Sequence, residues 1–189
     1  MKYHYHERFS EHWLDIVKMV EENYAQDYND SEHLVLSNNT LSEGINIPKE
    51  HKKIAYQLEP LVENHWWKVE DIVECLKEYD EVWDYDLDNI EKLKEYGISA
   101  KYKPFIYSEN LKRVNNKTEP DIEVLFYGTL TDYRSNLIKD YIRNLLPHNA
   151  RFVQLSNVTG SLLDDFISRS KIILDLSSFD GDIEEKIQK

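Results

Sequence analysis

Short apolar runs alternate with amphipathic stretches along the whole chain, and this rhythm limits the fold more than any other feature. Short apolar runs bounded by turn residues suit strands, and apolar residues every three or four positions suit one buried helix face. The rhythm opens with a helix carrying Trp13, Ile16, Val17, Val20 and Tyr24, with Ser10 placed to cap it. His33–Ser37 reads as a strand ended by Asn38-Asn39, and residues 38–52, with Gly44 and Pro48, as a loop. Lys53–Leu58 is a second strand, closed by Glu59-Pro60 because the residue before a proline avoids the helical region. A helix with Val69, Ile72, Val73 and Leu76 follows, then a strand at Glu81–Asp84. Asp86 caps the next helix, whose inward residues are Ile90, Leu93 and Tyr96, with Gly97 just past its end. Ala100–Tyr107 reads as an extended piece interrupted by Pro104.

Residues 108–120 change character: they are polar, contain Asn115-Asn116 and end at Pro120. They read as a linker between a first domain, 1–107, and a second, 121–189. The alternation then restarts. Ile122–Tyr127 is a strand, Gly128 a turn, and Leu137, Ile138, Tyr141 and Leu145 line a helix. Arg151–Leu155 is a strand, and Leu162, Leu163, Phe166 and Ile167 line a helix. Ile172–Leu176 is a strand so apolar that both of its faces should be covered. Strands alternating with helices imply right-handed crossovers and a parallel sheet in each half. The expected class is α/β, with two Rossmann-like halves.

Charge narrows the partners. The net charge of −13 repels phosphate backbones and anionic lipid, so nucleic acid is a poor partner. Cys75 is the single cysteine, which rules out an internal disulfide and a thiolate zinc cluster. No apolar run nears the ~20 residues that cross a bilayer, and Met1–Arg8 lacks the apolar core of a signal peptide, so a cytoplasmic protein is expected.

Open parallel sheets bind ligands beyond the carboxyl ends of their strands. Four places qualify. At Gly128–Arg134 a glycine turn feeds a helix N-terminus, and Arg134 offers a planar cation for phosphate oxygens. The same stretch also reads as an ordinary turn with a solvated arginine. At Ser177–Glu185, hydroxyls and carboxylates can accept from sugar hydroxyls, or Asp182 can cap a last helix favoured by Glu184 and Glu185. At Tyr56–Pro60, Glu59 is placed to take a proton from an acceptor, or simply to form a turn. At Trp83–Asp86, Asp86 reads as a cap and Trp83 as core. His4 and His6 share one face of an extended segment, but two ligands make a weak metal site. His65-Trp66-Trp67 could grip a sugar ring or staple the helix that follows.

Several stretches, in their order and spacing, resemble bacterial and viral glycosyltransferases of the GT-B fold. They are Ala55–Pro60, Tyr79–Tyr85 with Asn89-Ile90, Asp121–Leu130 with Arg134, and Ser170–Leu176. The resemblance covers roughly residues 50–180. It implies facing domains, with the acceptor side in the first, a nucleotide-sugar side in the second and no obligatory metal. Gly128 and Thr129 would face the donor diphosphate and Arg134 would hold it. Ser177, Ser178 and Glu184 or Glu185 would approach the sugar and ribose. Two departures follow: Asp175 stands where such enzymes have asparagine, and at Lys189 the second domain ends early. The expected function is metal-independent sugar transfer from a nucleotide sugar to a glycan or polysaccharide. The alternative is a non-catalytic interaction or glycan-binding module derived from such an enzyme. The open sheet edge points to self-association, or to a second polypeptide that completes the domain.

Overall fold

The computed structural model describes residues 1–5, 10–36, 45–62, 68–114, 119–145 and 150–176. His6, Asn38-Asn39, Gly44, His65-Trp66-Trp67, Asn115-Asn116, Ser177, Ser178, Asp182, Glu184 and Glu185 lie outside the described residues, as do the side chains of Ser10 and Leu145. The chain divides into two units, Met1–Lys112 and Arg113–Lys189.

The first unit holds strands β1 (Lys2–His4), β2 (Glu32–Leu36), β3 (Lys52–Gln57), β4 (Glu81–Asp84) and β5 (Ala100–Tyr102). They lie side by side in chain order and all run parallel. The helices are α1 (Ser10–Asn23), α2 (Val69–Leu76) and α3 (Leu87–Glu95). Alternation along β2, β3 and β4 splits the core in two. Leu34, Leu36, Ile54, Tyr56 and Trp83 pack against Val17, Met19 and Val20 of α1. Val35, Ala55 and Val82 face the other way, onto α2 and Leu93 of α3. Both faces of the central strands are therefore covered, which is why Leu34–Leu36, Ile54–Tyr56 and Val82-Trp83 are apolar on consecutive positions.

This arrangement corrects the expectation of uniformly right-handed crossovers. The steps β1 to β2 and β4 to β5 run in the same direction across the sheet, yet α1 and α3 lie on opposite faces. The two crossovers must therefore have opposite hands, an uncommon arrangement for parallel strands.

Local signals explain the ends of α3. The Asp86 carboxylate accepts from the Asp88 N–H at 2.8 Å and caps the helix start. At the other end Gly97 adopts φ +78°, and the Gly97 and Ile98 amides return to Lys94 and Leu93. That pairing satisfies the last carbonyls, and the backbone angle favours glycine.

One carboxylate ties the amino ends of the strands together. Glu81, the first residue of β4, accepts from Lys52 at 2.6 Å, Lys101 at 2.8 Å, Trp83 Nε1 at 2.5 Å and Tyr28 at 3.1 Å. It therefore links β3, β4 and β5 to the segment after α1. Burial pushes its carboxyl up, but the bonds from Lys101, Lys52, Trp83 and Tyr28 outweigh this and hold it at about 2. Further along, Lys103 lies over the rings of Tyr24 and Trp83, at 4.5 and 5.0 Å from their centroids. The Tyr56 hydroxyl donates to the Lys103 carbonyl and the Tyr24 hydroxyl to that of Pro104.

The second unit holds β6 (Ile122–Tyr127), β7 (Phe152–Leu155) and β8 (Ser170–Ile173), parallel and in the order β7-β6-β8. Helices α4 (Asp132–Leu145) and α5 (Gly160–Ser168) connect them. Phe126, Ile138 and Leu176 form the buried centre, with Leu137, Ile142, Phe152 and Leu174 around it. The strand read at 172–176 lies earlier, at 170–173, and it is not covered on both faces. Among the described residues it forms one edge of its sheet, with Ile172 58% and Ile173 41% exposed.

Replacing Glu81 with glutamine should cost about 2 kcal/mol at neutral pH, because two ammonium groups lose their ionised partner. The Glu81 carboxyl is depressed in the fold, so its stabilisation is complete above its ordinary range, near 4.5. It is lost as the pH falls toward 2. Denaturant unfolding of both proteins from pH 7 to pH 3 should show the gap closing with acid.

Candidate functional site

Two strand-end regions contain most of the residues singled out by sequence. The first lies where β3 and β4 terminate. Asp84, the last residue of β4, is fully buried and still polar. Its carboxylate accepts from Gln57 Nε2 at 3.0 Å, Asn89 Nδ2 at 3.2 Å and the Asp86 N–H at 2.9 Å. Gln57 spends its other atoms on the turn: Nε2 reaches the Glu59 carbonyl at 2.7 Å and Oε1 accepts the Glu59 N–H. Asn89 also donates to the Glu59 carbonyl and accepts from the Leu61 N–H at 2.9 Å. The turn after β3 is thus built around three side chains, Gln57, Asp84 and Asn89, that bond one another and its backbone.

Burial raises the Asp84 carboxyl to about 6, against the pull of its hydrogen bonds from Asp86, Asn89 and Gln57. Glu59 is half-buried, and burial moves its carboxyl above the ordinary range. A carboxylate raised this way is a better proton acceptor near neutral pH. Trp83 is fully buried in the core. Sequence reasoning gave Gln57 and Asn89 no role. Their signal was positional: one amide at a strand end, another in the first turn of a helix, flanking a carboxylate.

The second region is the end of β6, beside β8. These neighbours form the switch point of the β7-β6-β8 order, the place where such sheets bind ligands. Gly128 has φ +144°, a conformation that favours glycine. Arg134, in the first turn of α4, folds back over this turn. Its Nε and Nη2 donate to the Leu176 carbonyl at 3.1 and 2.8 Å, and Nη1 to the Thr129 carbonyl at 2.8 Å. The guanidinium also stacks on Phe126, 5.7 Å from the ring centroid. A side chain at Gly128 would meet Arg134 Nη1 and the Phe126 ring, each at 3.6 Å. Burial lowers the guanidinium's pKa, and the charge of Asp175 acts in the opposite sense. Asp175 thus places negative charge near the Arg134 guanidinium.

The solvated arginine of the simple-turn reading is therefore not what forms. Arg134 is half-buried and fastens the turn at Thr129 to the segment that follows β8. Thr129 is exposed, and Ser177, Ser178, Glu184 and Glu185 fall outside the described residues. Elsewhere, His4 pairs with His33. Among the described residues no group of three or more His, Cys, Asp or Glu is arranged to hold a metal ion. No helix there is long and apolar enough to cross a membrane.

Two substitutions test these networks. In Asp84→Asn the titrating group is gone, while in the parent the folded state holds the Asp84 proton more tightly than the unfolded state. The parent should therefore gain stability over the variant as pH falls from 6 to 4, measured by parallel denaturant titrations. Arg134→Ala should destabilise the second unit by about 2 kcal/mol, and lysine should restore only part of it because it lacks the planar fork. All four tryptophans precede residue 84, so amide exchange of β6 and β8, not tryptophan fluorescence, is the right readout.

No protein-family model matches this chain, and no curated protein matches it. Among solved structures, a Glycosylation Associate Protein complex from Streptococcus agalactiae superposes with a TM-score of 0.46 at 11% identity. The overlap takes in 93% of this chain and 46% of that one, so the chain spans less than half the length of its structural neighbour. At that level the likeness decides neither fold nor function.

Proposed function

We propose that this chain is a non-catalytic α/β module of GT-B type, serving glycan assembly through contacts with other macromolecules rather than through sugar transfer of its own. The observation that carries this reading is the state of Arg134. A donor-binding arginine must offer its N–H groups to diphosphate oxygens. Here three of its nitrogens donate to the carbonyls of Thr129 and Leu176. A diphosphate would have to displace those bonds and also sit beside the carboxylate of Asp175. Both costs fall on the ligand and weaken its binding.

A second reading, a metal-independent glycosyltransferase, is favoured by Glu59. Its carboxyl is raised by burial at a strand end of the first unit, as a base for an acceptor hydroxyl requires. In that reading Gly128, Thr129 and Arg134, with Ser177, Ser178 and Glu184 or Glu185, would receive the nucleotide sugar.

Saturation-transfer NMR against UDP, GDP and CMP sugars separates the two. The module reading expects no transfer to any of them at millimolar ligand. Transfer that disappears in Arg134→Ala would establish the second reading in its place.

A further inference from the structure

Three histidines form a hydrogen-bonded row from β1 across β2 to the start of β3. His4, the last residue of β1, places Nε2 2.9 Å from Nδ1 of His33 in β2. His33 Nε2 lies 2.9 Å from Nδ1 of His51, which immediately precedes β3. The His4 and His33 rings stack with centroids 5.0 Å apart, and those of His33 and His51 are also 5.0 Å apart. His33 is buried and uses both ring nitrogens within the row.

Proton counting sets what such a row can hold. Three neutral imidazoles carry six nitrogens and three protons. Two of the three lone pairs accept the two N–H···N bonds, whichever way the bonds run. One lone pair remains, on an end ring: Nδ1 of His4 or Nε2 of His51. A first added proton goes there and leaves both bonds intact. A second must go to a nitrogen that is already accepting, so it turns one bond into two opposed N–H groups. It also adds a second positive charge next to the first, within a row whose charged neighbours are Lys2 and the amino terminus.

We propose that this row is a proton-operated fastening for β1: it holds the strand while it carries no more than one added proton, and a second proton releases it. The strand is suited to release. It is three residues long, and among the described residues it is the outermost strand, with β2 as its single neighbour in the sheet. Beneath it β2 is buried from His33 to Leu36, so release uncovers a strand edge with apolar residues on both faces. Burial, with the charge of Lys2, lowers the His4 imidazole; burial, then His4, His51, Lys2 and the amino terminus, lowers His33. Groups depressed in this way favour the fold above their ordinary range, near 6.5, and withdraw that support as the pH falls through their folded values.

Amide hydrogen exchange on the full chain, corrected for intrinsic rates, tests the fastening. Between pH 7 and pH 5, protection of residues 2–4 and 33–35 should drop about tenfold, roughly 1.4 kcal/mol of local opening. Protection of β3 and β4 should hold. His4→Phe keeps a ring in place but breaks the row, and its protection should change less than twofold over that range. Imidazole 15N NMR of the unaltered protein counts protons independently of any variant, and the drop should coincide with the second uptake. Protection that stays constant through the second uptake, a drop at the first proton, or an equal drop in His4→Phe would each overturn the proposal.

Discussion

Strand β4 carries two carboxylates three residues apart, Glu81 partly buried and Asp84 fully buried, and the first unit is organised around what surrounds each. At its start Glu81 meets two ammonium groups, an indole and a phenol, and stays ionised far into acid. At its end Asp84 meets only neutral donors, two amides and a backbone N–H, and its pKa rises toward neutrality. Donors alone do not offset the loss of water for a charge, whereas counter-ions can. The charged end draws the amino ends of three strands together. The neutral end shapes the turn after β3 that positions Glu59.

The rhythm of the sequence made the class of fold legible, because buried parallel strands and amphipathic helices leave different apolar spacings. It also showed the cap at Asp86 and the glycine after α3, since each is a local demand of the backbone. Strand β1 was not legible. Lys2-Tyr3-His4 has no apolar run, and what makes it a strand is pairing with a segment some thirty residues away. The hand of the first crossover was equally hidden, because it depends on which sheet face α1 covers. The strand of Ile172 and Ile173 was read as covered because apolar content does not reveal an edge position.

The candidate site shows the same limit. Glycine after β6 and an arginine in the next helix were visible as residue types in a suggestive order. Whether that arginine serves a ligand or the protein depends on nearby carbonyls, and those of Thr129 and Leu176 are brought to it only by the folded sheet. A carbonyl leaves no trace in residue identity. The amide–carboxylate cluster at the other strand end is comparable: Gln57, Asp84 and Asn89 are unremarkable singly, and together they make one small polar core. At the two strand ends described, the turns are fastened by the chain's own groups.

The edge at β8 bears on colloidal behaviour. Among the described residues β6 is its one partner, and two outward-facing isoleucines stand beside it, a surface that adheres to its own kind. The excess of carboxylates, net −13, keeps copies apart at neutral pH. Near the isoelectric point, about 5.0, that repulsion fades while the sticky edge remains. Solutions held there, or screened by high salt, will tend to cloud, and dilute neutral buffer of low ionic strength is the natural condition for handling this protein.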